Sequence, residues 1–113
     1  MPPRSIELLK GTLDLLILRA LTAGPTHGYG VMQWIERATG DVLRIEEGSL
    51  YPALYRLEDR GWLVSDWGVS ENNRRARFYR LTPKGRARLK TEVEDFTRFA
   101  GAVFQALRIP VTA

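Results

Sequence analysis

The sequence predicts a mainly α-helical chain with a small β wing, a winged helix-turn-helix followed by one long C-terminal dimerisation helix. Three observations carry that expectation. Residues 48–85 read GSLYPALYRLEDRGWLVSDWGVSENNRRARFYRLTPKG: a short amphipathic stretch, two β-type runs around a turn rich in Gly, Ser and Asn, and a helix start. From Arg74 to Lys90 there are eight Lys/Arg and no Asp or Glu. Beyond them, Leu89, Val93, Phe96, Ala100, Val103 and Leu107 recur at spacings of 4, 3, 4, 3 and 4, a heptad seam.

The elements follow in order. Residues 1–5 read as a loose arm. Thr12 is placed to cap a first helix whose Leu13, Leu16, Ile17, Ala20 and Leu21 share helical spacing, and Gly24-Pro25 ends it. A second helix is expected over residues 29–39, with Val31, Trp34, Ile35 and Ala38 as its apolar stripe and Gly40 as its C-terminal cap. Val42-Leu43-Arg44-Ile45 is a brief extended segment able to pair with the later hairpin. A third helix over residues 47–60 turns Leu50, Leu54 and Leu57 to the core, tolerates Pro52 if it lies in the first turn, and closes at Gly61. Strands are expected over residues 62–67 and 77–81. Thr82-Pro83 is a cap followed by proline at the first helical position, and opens a helix running to about Arg108. The chain divides into a winged helix-turn-helix at residues 1–82, a dimerisation helix at 83–108 and a tail at 109–113.

With 113 residues, the chain has room for one domain and an extra helix. It holds no cysteine and one histidine, His27, so a disulfide framework and a His- or Cys-built metal site are excluded, no cofactor is expected, and a reducing cytoplasm fits. Its most apolar run, from Leu13 to Ala23, contains Asp14 and Arg19; it is neither a membrane span nor a signal-peptide core. No nucleophilic triad, Gly-rich phosphate loop or carboxylate cluster stands out, so no enzyme activity is expected, and His27 reads as a cap or packing residue. A net charge of +4 favours polyanionic partners, though the arrangement of charge says more than its sum.

That arrangement points to double-stranded DNA. The third helix would direct Ser49, Pro52, Ala53 and Arg56 away from its leucine stripe, with Tyr51 and Tyr55 at the sides. Small and hydroxyl residues in its first turn let backbone N–H groups approach a phosphate, and Arg56 has the reach for a guanine. The alternative is an ordinary amphipathic helix, and Glu46, Glu47, Glu58 and Asp59 must then face elsewhere for DNA to bind. Arg74, Arg75 and Arg77 stand at and beyond Glu71-Asn72-Asn73, a sequence that tolerates left-handed backbone. A charge run is commonly a solvated face. Here the absence of neighbouring acids favours phosphate contact, whereas Lys84, Arg86, Arg88 and Lys90 read as solvent-facing. The seam admits packing within the chain or pairing of two chains; its length favours the second. Phe96, Phe99 and Phe104 offer area for a flat, apolar effector.

Four motifs together resemble the PadR family of bacterial transcriptional regulators: Leu8-Leu9-Lys10-Gly11-Thr12-Leu13, His27-Gly28-Tyr29-Gly30, Gly48-Ser49-Leu50-Tyr51-Pro52-Ala53-Leu54 and Arg77-Phe78-Tyr79-Arg80-Leu81-Thr82. The resemblance covers nearly the whole chain, and its single C-terminal helix is similar to the short branch of the family. It implies a homodimeric repressor that binds a pseudo-palindromic operator and is released by a small aromatic or drug-like effector near the dimer interface. It places Ser49, Tyr51 and Pro52 in the recognition-helix motif and Arg74 and Arg77 in the wing, with Tyr29 and Tyr79 at structural or DNA-facing positions. The chain departs from the pattern at Asn72-Asn73, where glycines are common, and at Ala76. The function expected is sequence-specific transcriptional regulation. The rival reading is a winged-helix adaptor that binds an acidic protein surface without reading DNA sequence.

Overall fold

A computed structural model describes residues 10–108. The elements run α1 (Lys10–Ala20), a 3-10 turn (Leu21–Ala23), β1 (Thr26–His27), α2 (Gly28–Ala38), α3 (Glu47–Asp59), β2 (Leu63–Val69), β3 (Arg75–Leu81) and α4 (Pro83–Leu107). The architecture is mostly helical with one small antiparallel sheet ordered β1-β3-β2, as the winged-helix expectation requires.

Helix α1 occupies the middle of the fold. Leu13, Ile17, Leu18, Ala20 and Leu21 are buried, while Leu15 and Leu16 pack against the core from its margins. A helix covered on most sides needs no polar stripe, so its sequence reads as a nearly continuous apolar run. Thr12 is not its cap: the helix is already running at Lys10, and Thr12 lies inside it. A lone Gly11 costs a helix only about 1 kcal/mol, which burial of the following turns outweighs. Leu8 and Leu9, and the arm and tail expected at the termini, lie outside the described residues.

α2 and α3 pack on α1 through Val31, Ile35, Leu50, Leu54 and Leu57. Ala38, expected in the α2 stripe, is exposed at the end of the helix. Ala53, expected to face outward, is fully buried, which widens the apolar face of α3 beyond the leucine stripe. Both helices end in the same way. Gly40 (φ 58°) follows α2 and Gly61 (φ 79°) follows α3. Gly40 N–H donates to Arg37 and Asp41 N–H to Glu36; Gly61 N–H donates to Glu58 and Trp62 N–H to Leu57. These paired bonds form a Schellman motif that satisfies the last carbonyls of each helix.

Residues 42–45 form no strand. Asp41 joins Gly40 in a left-handed conformation (φ 63°), and the chain turns so that Ile45 enters the core while Val42 is exposed. The free edge of β3 is taken instead by Thr26 and His27, paired with Tyr79 and Phe78. Pro52 also differs from expectation. Because α3 begins at Glu47, Pro52 lies in the second turn and leaves the exposed Gly48 carbonyl without its usual N–H donor.

Thr82 is the N-cap of α4: its hydroxyl accepts from Gly85 N–H (3.0 Å) and donates to the Gly61 carbonyl (2.7 Å), with Pro83 at the first helical position. α4 packs its first turns on α1 and buries Gly85 and Leu89. Farther on, Val93, Phe96, Phe99, Val103, Phe104 and Leu107 are all exposed, and Ala100 is half-buried. No helix among the described residues is long and apolar enough to cross a membrane.

Candidate nucleic-acid interface

The β2–β3 ribbon changes character along its length because alternate side chains share a face. Register pairs Leu63 with Leu81, Ser65 with Tyr79, Trp67 with Arg77 and Val69 with Arg75. At the base of this face Leu63, Tyr79 and Leu81 are buried in the core. One step outward, Arg77 donates through Nε to Ser65 Oγ (2.7 Å), and Ser65 donates to Glu58 Oε2 of α3 (2.6 Å). Farther out, Trp67 is 60 % exposed, and the guanidinium of Arg75 lies 4.6 Å from its ring centroid. The opposite face carries Phe78, whose ring meets that of His27 edge-on at 5.4 Å, and Arg80, paired with Asp66 at 3.1 Å.

The tip is a three-residue loop, Glu71-Asn72-Asn73. Ser70 O accepts from Asn73 N–H (2.9 Å), Asn73 takes φ 57°, and Ser70 N–H donates to Arg74 O (2.8 Å). A type I turn followed by a left-handed residue is a common three-residue hairpin closure, and asparagine tolerates the left-handed position that glycine usually fills. The asparagines therefore preserve the turn rather than disturb it.

Between α3 and this inner face lies an open groove of about 690 Å³. Tyr29, Tyr51, Tyr55 and Trp67 line it together with Arg74 and Arg75. Its α2 wall follows from the His27-Gly28-Tyr29-Gly30 run. His27 Nδ1 accepts from Gly30 N–H (3.1 Å) and caps the helix, so the one histidine is a cap, as one of its two sequence readings had it. At Gly28 a Cβ would stand 2.9 Å from the ring of Tyr51, so glycine leaves the space in which that ring sits. Tyr79, at the floor, is buried, and desolvation raises its hydroxyl pKa above 10.0, with Arg77 opposing the shift.

Ser49, Tyr51 and Pro52 are all exposed on the N-terminal half of α3, but only Tyr51 of the three lines the groove with Arg74 and Arg75; Ser49 and Pro52 lie outside its lining. Arg56 is turned elsewhere. Its Nη2 pairs with Asp14 Oδ1 of α1 at 2.7 Å, and its Nε is buried without a partner. The cationic run is less uniform than its sequence: Arg77, Arg80 and Arg88 have carboxylates of Glu58, Asp66 and Glu92 within 4.0 Å. Among the described residues none lies that close to Arg74 or Arg75. Glu58 faces the wing, whereas Glu46 and Glu47 remain exposed at the start of α3. Trp67 was not singled out from sequence as a site residue. Its signal was its register, an aromatic residue cross-strand from Arg77 on a face whose outer end has no core to cover it.

A sequence profile described as the transcriptional regulator PadR-like family matches residues 17–91. A transcriptional regulator of Mycobacterium tuberculosis is 39 % identical over 83 residues, covering 74 % of each chain. An uncharacterised 37.1 kDa protein in transposon Tn4556 of Streptomyces fradiae is 41 % identical over 93 residues; these span 82 % of this chain but only 25 % of that protein. Among solved structures, a transcriptional regulator from Clostridium thermocellum superposes with a TM-score of 0.77 at 31 % identity, covering 85 % of this chain and 93 % of the other.

Proposed function

This chain belongs to the PadR-like family of transcriptional regulators, and from that premise we propose that it is a homodimeric repressor released from its operator by a small-molecule effector. The observation that carries the reading is the groove itself. Tyr51 and Tyr55 of α3 stand across it from Arg74 and Arg75, which have no carboxylate within 4.0 Å among the described residues. Ser49 and Pro52 are exposed on the same helix outside the groove lining. In each half-site α3 enters the major groove, and the wing arginines neutralise the flanking phosphates. Arg56 is omitted from the contact set because Asp14 already holds it.

The exposed seam supports pairing. Val93, Phe96, Val103 and Leu107 lie along one face of α4 and are exposed among the described residues. Pairing through that face relates two reading helices by a two-fold axis, with half-sites spaced about 34–36 Å apart. Phe99 and Phe104 flank the seam and give a flat apolar effector a surface at the joint between chains. Such an effector releases DNA by binding better to a dimer whose reading helices are wrongly spaced.

The test is fluorescence anisotropy of labelled DNA from upstream of this protein's own gene against a scrambled sequence, across a salt series. A preference of about a thousandfold or more with a steep salt slope is the expected result. Equal, weak binding to both DNAs would sink the repressor reading and favour an adaptor that docks an acidic protein surface.

A further inference from the structure

We propose that Trp67 is a positioning residue for DNA binding, an indole platform that holds the Arg75 guanidinium in place before DNA arrives; this rests on the phosphate-contact reading given above for the wing. Trp67 is directly cross-strand from Arg77, and Arg75 is the next residue outward on the same face. Both guanidinium groups lie over its ring, at 4.6 Å for Arg75 and 5.7 Å for Arg77. The two arginines differ in their other restraints. Arg77 is also held by Ser65 and lies within reach of Glu58, so it has a fixed position without the indole. Arg75 has no carboxylate within 4.0 Å among the described residues, which leaves the indole as its main restraint.

An aromatic residue left 60 % exposed on a ribbon contributes little to the core. Beneath two like charges its negative π-face offsets their mutual repulsion and confines a long, flexible side chain. A cation already confined loses less freedom when a phosphate binds. The indole thus acts on affinity through Arg75 rather than by touching DNA.

The experiment is a double-mutant cycle with anisotropy on operator DNA, using Trp67→Leu, Arg75→Ala and the pair. Trp67→Leu should weaken binding about two- to tenfold. In the Arg75→Ala background the same change should be nearly silent, and Trp67→Phe should restore part of the loss. A thermal melt of each variant controls for folding. No loss in Trp67→Leu, or an equal loss in both backgrounds, would overturn the proposal, the second because Trp67 would then act on its own. NMR of the DNA-free protein gives an independent readout: ring current should move the Arg75 Nε–H resonance upfield in the native chain and not in Trp67→Leu. Absence of that shift in the native chain rejects the platform outright. If the shift is present but Arg75→Ala binds DNA as the native protein does, the phosphate-contact reading has failed, and the role assigned to Trp67 in binding falls with it.

Discussion

Helices α1 and α4 put the same residue types to different use. Leu13, Ile17, Leu18 and Ala20 of α1 are buried by α2, α3 and the first turns of α4. On α4, which is 25 residues long, only Gly85 and Leu89 are buried, and its phenylalanines stand in solvent. A single chain of this size has enough apolar surface to cover one central helix, and the ~37 Å rod of α4 extends past that cover. The apolar residues of α1 therefore stabilise the fold, and those on the outer half of α4 are available to something else.

The strongest way to break this contrast is to charge the outer seam. Val93→Glu with Phe96→Glu should abolish association in sedimentation, since each buried carboxylate opposes pairing by several kcal/mol. The melting of the single chain should hardly change, because both side chains are already more than 40 % exposed within it. A collapse in melting would mean that the chain uses this face internally. Inside the covered region the opposite holds: Leu54→Ala should reduce stability by about 2–5 kcal/mol in urea unfolding. Asp14→Asn tests the polar tie between α1 and α3. It strips the half-buried Arg56 of its partner and should cost about 1–2 kcal/mol, recovered in part by Asp14→Asn with Arg56→Met. Arg74→Ala with Arg75→Ala should leave melting and sedimentation unchanged and reduce the salt slope of DNA binding by roughly 0.9 per lost contact. The smallest effect is at Tyr79. Burial raises its pKa above 10.0, so its contribution is complete below pH 10.0 and is lost as pH climbs through the raised folded value. Tyr79→Phe should flatten that alkaline loss in a melting series.

The legible parts of this chain were those governed by local chemistry. Thr82-Pro83, Gly40, Gly61 and the leucines of α3 each declared a cap, a stop or a buried face. What escaped depended on contacts distant in sequence. Thr26 and His27 form a strand only because β3 offers an edge, and two residues carry no periodicity to read. Arg56 has the spacing of a groove-facing residue, yet Asp14, 42 positions earlier, holds it. The charge run from Arg74 to Lys90 looked uncompensated because Glu58 and Asp66 lie before it in sequence and beside it in space. Of its arginines, Arg74, Arg75 and Arg86 remain without such partners among the described residues, and the first two stand together at the wing tip while Arg86 lies on α4.

Thr82 has a mechanical consequence. Its hydroxyl is bonded both to the carbonyl at the end of α3 and to the first turn of α4, so the two helices meet at one pinned joint. α4 is then a lever about 37 Å long with its fulcrum beside α3, and one degree of tilt there corresponds to roughly 0.6 Å at its far end. Run in reverse, an ångström of displacement at the tip of α4 arrives at α3 as a rotation of about one and a half degrees, delivered through that pinned joint.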